Sequence, residues 1–205
     1  MSNKEHWEKV YKNKSFHDVS WYQKEPSLSL ELINNSRPDI DDVILDVGGG
    51  ASVLIDYLLD KGFVNLAVLD ISENAISSAK KRLGDKADKT DWYITDVTQF
   101  KSPKIVSLWH DRAVFHFLTK KQDRENYVST LKRTLKPGGH LIISAFAIGG
   151  PEKCSGLDIV QYDEYKMNAA LGDGFKLLEV RNETHVTPVE VDQYFTYFHY
   201  IYEAN

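Results

Sequence analysis

The stretch Val-Ile-Leu-Asp-Val-Gly-Gly-Gly-Ala-Ser, residues 43–52, decides how this chain is read. An apolar run ends in three consecutive glycines, and a pattern with Val53, Ile55, Leu58 and Leu59 on one side follows over Ser52–Lys61. A short continuous apolar run is expected of a strand buried on both faces, and the i, i+3, i+4 spacing is that of a helix. A second apolar run, Leu66–Leu69, leads directly to Asp70. Strand, glycine turn, helix, strand and acid together predict a nucleotide-binding crevice. Glycine permits the sharp turn and close approach of a ligand to the backbone, and the following helix start offers free N–H groups.

The same rhythm continues outward from this element. Ser72 is placed to cap a helix over Asn74–Leu83 that Gly84 ends; Trp92–Thr95 and Ile105–Trp109 read as the third and fourth strands. Thr119–Leu135 reads as a helix, Pro137-Gly138-Gly139 breaks it, and His140–Phe146 is the fifth strand. Asp158–Leu171 is expected to be helical. Two long runs follow, Gly174–Glu183 and Val191–Tyr202, the second with six aromatics between Tyr194 and Tyr202. The expectation is an α/β fold: a doubly wound, Rossmann-like, seven-stranded mixed sheet with helices on both faces and an antiparallel C-terminal hairpin. Residues 1–205 are expected to form one domain, with 43–205 as its core and 1–40 as an aromatic arm or lid. In that arm Trp7 and Tyr11 have helical i, i+4 spacing, and Trp21 and Tyr22 follow.

Bulk properties exclude some function classes. With 25 basic against 30 acidic residues the net charge is −5, which argues against a general nucleic-acid binder. No apolar run approaches the ~20 residues of a membrane span. The charged N-terminus lacks the apolar core of a secretory signal, and the lone Cys154 permits no internal disulfide, so a cytoplasmic protein is expected. The seven histidines lack metal-ligand spacing, and no metal is expected. An exposed aromatic face on the last strand leaves monomer and homodimer both open.

A nicotinamide-dependent oxidoreductase would want a third glycine at position 53, where this chain has Val53. Asp46, just before the glycines, disfavours a pyrophosphate and suits a ligand with a cationic amino group. Asp96, at the end of the third strand, is placed to accept from an adenine amino group while the Val97 N–H donates to the ring. The fourth strand runs into Trp109-His110-Asp111-Arg112 and on to His116, at the carboxyl edge where ligands of such sheets bind. A carboxylate or a neutral histidine can assist a reacting amine. Asp111 is therefore the first candidate catalytic residue, with His110 and His116 behind it; the structural alternative is that Asp111 and Arg112 form an ion pair with the loop and that His116 is a satisfied core histidine.

Asp46, the glycine turn, Asp70, Asp96-Val97 and Leu135-Lys136-Pro137-Gly138-Gly139-His140-Leu141-Ile142-Ile143 together resemble the class I S-adenosylmethionine-dependent methyltransferases. The resemblance implies strand order 3-2-1-4-5-7-6 and S-adenosyl-L-methionine as cofactor. It places Asp46 near the methionine moiety, Gly48, Gly49 and Gly50 along the cofactor, Asp70 on the ribose hydroxyls, Ile71 against the adenine, and Asp96 and Val97 at the adenine edge. Trp109, Trp21 and Tyr22 are expected to wall the same site. Ala51-Ser52 stands where the family often has a further glycine. The fourth-strand segment is also partly similar to methyltransferases of protein lysines, so the expected acceptor is a small molecule or a protein lysine. A nicotinamide enzyme and a non-catalytic nucleotide-binding module are the alternatives.

Overall fold

A computed structural model of the chain describes residues 2–204. The elements in chain order are α1 (Asn3–Asn13), α2 (Ser27–Asn35), β1 (Ile44–Val47), α3 (Leu54–Asp60), β2 (Leu66–Asp70), α4 (Glu73–Leu83), β3 (Thr90–Ile94) and β4 (Val106–Arg112). They continue with α5 (Lys121–Thr134), β5 (Leu135–Phe146), β6 (Lys153–Cys154), β7 (Leu157–Asp158), α6 (Glu164–Leu171), β8 (Phe175–Val186) and β9 (Asp192–Tyr202). One seven-stranded sheet runs β3-β2-β1-β4-β5-β9-β8. β1 to β5 are parallel and the β8–β9 hairpin is antiparallel, with β9 against β5. With the short β6–β7 pair set aside, this is the expected order.

Side-chain alternation divides the core in two. Leu45 and Val47 of β1, with Trp109 of β4, enter one apolar cluster that includes Tyr127 and Leu131 of α5. Ile44 of β1 and Leu108 of β4 enter the opposite cluster with Leu30, Leu32 and Ile33 of α2 and Leu54, Ile55 and Leu58 of α3. Each fully buried aliphatic or aromatic side chain contributes about 1.5–3 kcal/mol. Both faces of β1 are therefore held, and the loop that follows it is fixed in place.

Three local readings differ from expectation. α2 was not foreseen, because Ser-Leu-Ser-Leu-Glu-Leu over 27–32 alternates with a period of two; the pre-helical Pro26 and burial of Leu30, Leu32 and Ile33 make it helical. The helix expected over 158–171 begins only at Glu164, where the Asp163 side chain accepts from the Lys166 N–H at 2.8 Å. The preceding residues run extended, with the Tyr162 N–H donating to the Phe146 carbonyl. β5 begins at Leu135, and Pro137-Gly138-Gly139 lie within an irregularity of the β4–β5 register.

Candidate active site

At the turn after β1 the three glycines have separate duties. Gly48 has φ +72°, and a Cβ there would lie 2.1 Å from Val114 Cγ2. A Cβ on Gly49 would sit 2.2 Å from Asp46 Oδ2, and one on Gly50 would sit 2.7 Å from Asp70 Oδ2. The missing side chains thus make room for two of the protein's own carboxylates. The Gly50 N–H donates to Asp70 Oδ2 at 3.0 Å, and the Ser72 N–H donates to Asp70 Oδ1 at 2.8 Å. Asp70 is buried, and burial raises its pKa to about 6 against the pull of these two donors, with Asp46 and Glu8 adding repulsion.

Asp46 faces β4. Its register partner across the parallel sheet is His110, and His110 Nδ1 lies 2.7 Å from Asp46 Oδ1. His110 Nε2 lies 2.9 Å from the Ser29 hydroxyl of α2. All three residues are buried, and Asp46 Oδ2 has no hydrogen-bond partner.

Two neighbouring cavities meet at Gly48, Trp21 and Arg112. The larger has Asp70, Ile71, Asp96 and Val97 among its lining. Trp7, Tyr11, Trp21, Phe117, Phe195 and Arg112 also line it. The smaller is bordered by Asp46, Gly49, His110, Ser29, Trp21 and Tyr22. Asp96 is oriented by the Thr98 N–H at 2.8 Å and the Thr98 hydroxyl at 2.7 Å.

The N-terminal arm makes two different kinds of attachment. Helix α1 starts with a reciprocal cap between Ser2 and Glu5, yet contains no buried residue. It is clamped by Glu8, whose carboxylate accepts from the Glu73 N–H at 2.6 Å, the Asn74 N–H at 3.2 Å and the Ser72 hydroxyl at 3.2 Å. A carboxylate on the orphan N–H groups of a helix start is a favourable pairing. Trp7 meets Phe117 edge-on at 5.0 Å and Trp21 at 5.6 Å. The segment around Trp21 is instead pinned from below. Arg112 donates to the Trp21 carbonyl at 3.0 Å and to the Tyr197 hydroxyl at 2.8 Å, and pairs with Glu183 at 3.3 Å. Gln23 donates to Glu183 at 3.0 Å, and His185 Nε2 lies 2.7 Å from the Ser20 carbonyl.

The structure brings Asp46, Gly48, Gly49, Asp70, Ile71, Asp96, Val97, Trp21, Tyr22 and His110 to the cavity walls. Gly50 stands behind Asp70 as its donor. Asp111, Trp109 and His116 border neither cavity. Asp111 and Trp109 project from β4 toward α5: Asp111 accepts from the Val114 and Phe115 N–H groups and from Tyr127 Oη at 2.6 Å, and Trp109 donates to the same hydroxyl at 2.9 Å. Adjacent strand residues face opposite sides, so Asp111 is held by the N–H groups of the loop after β4 while Arg112 finds its ion pair in Glu183 of β8. His116 is enclosed, with neither ring nitrogen partnered, beside Phe117 and Phe146; burial lowers its pKa to about 3. Asp111 as first catalytic group, His116 behind it and Trp109 as a cofactor wall are thus corrected by strand alternation and packing. Arg112, Phe117, Phe195 and Ser29 were not assigned to the site from sequence. Arg112 alone carried a signal, being two residues from His110 on one strand face.

Residues 45–141 match a family profile described as a methyltransferase domain. Nodulation protein S of Rhizobium tropici is 30% identical over 101 residues, covering 49% of this chain and 42% of that protein. The human "EEF1A lysine methyltransferase 2" is 25% identical over 163 residues, covering 71% of this chain and 68% of that protein. The chain thus spans less than half the length of the nodulation protein. Among solved structures, the N-methyltransferase NodS of Bradyrhizobium japonicum, with S-adenosyl-l-homocysteine bound, superposes with a TM-score of 0.70 at 17% identity, covering 99% of this chain and 100% of that one. A protein described under the conversion of a disulfide bond into a thioacetal group in echinomycin biosynthesis gives a TM-score of 0.80 at 15% identity, covering 100% and 93%. The match over residues 45–141 is to a methyltransferase domain, and the strand order and whole-chain superposition give the chain the fold of the solved S-adenosylhomocysteine-bound N-methyltransferase.

Proposed function

We propose that this chain moves a methyl group from S-adenosylmethionine to a small, uncharged, largely apolar acceptor enclosed beneath α1. The observation that carries this reading is the larger cavity, which Asp70 and Asp96 line together with the aromatic side chains of Trp7, Tyr11, Trp21 and Phe117. The residues fit the methyl donor. Asp70 is held by two N–H groups and still borders the cavity, which suits the two hydroxyls of a ribose. Ile71 and Val97 offer apolar surface for an adenine, and Asp96 an acceptor for its amino group. The buried, unpartnered Asp46 Oδ2 suits a cationic amino group.

When bound, the donor supplies an electrophilic methyl on a sulfonium that leaves as a neutral thioether. The chain's own part is orientation and exclusion of water. Trp21, held by Arg112 and the hairpin, walls the cavity, and Trp7 and Phe117 close it. Arg112 is already engaged by Glu183, Tyr197 and the Trp21 carbonyl, so it offers no free charge to an anionic acceptor. Desolvation at the cavity wall, with the Asp70 charge nearby, pushes the half-buried Tyr11 well above the ordinary tyrosine range, and burial pushes Cys154 to about 11. Neither serves as a base near neutrality, so the acceptor must arrive with a free lone pair. A lysine on a folded protein would have to thread past α1. The likeness to a lysine methyltransferase over 71% of the chain makes protein lysine the second reading.

Incubation with a radiolabelled methyl donor and a cell extract, then separation by size, distinguishes the two. Label in the small-molecule fraction is expected, and label confined to protein would overturn the acceptor class. Absence of any calorimetric binding of S-adenosylhomocysteine would overturn the methyl-transfer reading itself.

A further inference from the structure

The smaller cavity is bordered by a buried chain of polar groups, Asp46, His110 and Ser29, on β1, β4 and α2, of which only Asp46 has a part in the proposed donor site. Asp46 Oδ1 is an acceptor, so His110 presents an N–H at Nδ1. In the matching tautomer Nε2 accepts the hydrogen bond of the Ser29 hydroxyl. Both ring nitrogens are thereby satisfied, and the imidazole is locked between strand and helix. Asp46 keeps one oxygen committed and one free, in a site where no water shell compensates the charge. Gly49 leaves that free oxygen unobstructed, since a Cβ would stand 2.2 Å from it.

We propose that His110, braced by Ser29, is a positioning residue that holds Asp46 for the cationic amino group of the methyl donor. This inference rests on the proposed cofactor. Without the His110 N–H, the Asp46 carboxylate is left buried with no fixed partner, and it rotates away from its place at the cavity wall. The loss then falls on the amino-acid end of the ligand and not on the nucleoside end, where Asp70 and Asp96 act.

The test compares two ligands by calorimetry. One is S-adenosylhomocysteine, and the other is methylthioadenosine, the same nucleoside thioether without the amino-acid portion. His110→Leu is expected to weaken the first by about tenfold, the scale of one charge-assisted hydrogen bond, and to leave the second within about twofold. His110→Asn, whose amide nitrogen stands near the Nδ1 position, is expected to recover most of the loss. Ser29→Ala, a milder change should His110→Leu fail to fold, is expected to lower the first affinity selectively but less. Equal losses for both ligands across the folded variants, or no loss for either, would overturn the proposal. Parent protein that binds neither ligand would instead overturn the cofactor reading, so the two failures are distinguishable.

Discussion

Asp70 and Asp111 are both buried carboxylates, at the ends of β2 and β4, and burial raises each pKa to about 6. Their surroundings give them different work. Asp70 is oriented by two backbone donors and borders the cavity; Asp111 is consumed by the turn that follows β4 and by Tyr127. Only the ionised Asp70 accepts from two ribose hydroxyls, and the charged fraction falls as pH drops through about 6. Calorimetry is therefore expected to show S-adenosylhomocysteine affinity constant near pH ~7.5 and falling toward pH ~5, approaching tenfold per unit, with Asp70→Asn weak and flat across the range. Asp111→Ala is expected to leave that affinity within about twofold. It strands three donors and lowers stability by about 1–3 kcal/mol in urea titrations near neutrality. The sign of its pH dependence follows from the raised value: the protonated carboxyl is favoured in the folded state, so the parent gains stability from Asp111 as pH falls below about 6. The deficit of Asp111→Ala accordingly widens toward pH ~5.

Among the elements, α1 has the most local signal and the least buried surface. Its Trp7–Tyr11 spacing and the Ser2–Glu5 cap are legible over a few residues, but nothing within them says where the helix docks. The docking partner is the start of α4, reached through Glu8, and this places α1 over the cavity. A helix with no buried residue is a low-stability unit suited to opening. Removal of a cap-type carboxylate costs about 0.5–2 kcal/mol. Glu8→Ala is therefore expected to speed S-adenosylhomocysteine dissociation about two- to thirtyfold in stopped-flow measurements, with the association rate changed far less. An unchanged dissociation rate would show that α1 does not gate the site. The segment around Trp21 differs: it is pinned by Arg112, Glu183 and His185 and borders both cavities.

Across the whole molecule, the sheet supplies a carboxyl edge, and the termini of the chain complete it. The β8–β9 hairpin contributes Glu183, His185, Phe195 and Tyr197, which hold the arm and Arg112 in place. The sheet order was implied by the family resemblance, while periodicity over a few residues was enough to specify the strands, most helices and the acids at the ends of β1, β2 and β3. Those features depend on neighbouring residues, and burial on both faces leaves an apolar strand little freedom. The faces of β4 were another matter. Alternation separates Trp109 and Asp111 from His110 and Arg112, but the cavity side is set by where α2, the arm and the hairpin pack. The pairs that build the site, Asp46 with His110, Glu8 with Glu73 and Arg112 with Glu183, lie 64, 65 and 71 residues apart. Such contacts arise only when separate elements close over one another, and no local pattern encodes them. The crevice after β1 is thus written in the residues from Val43 to Val97, whereas the aromatic walls of the larger cavity and the bracing of Asp46 come from the packing of distant segments.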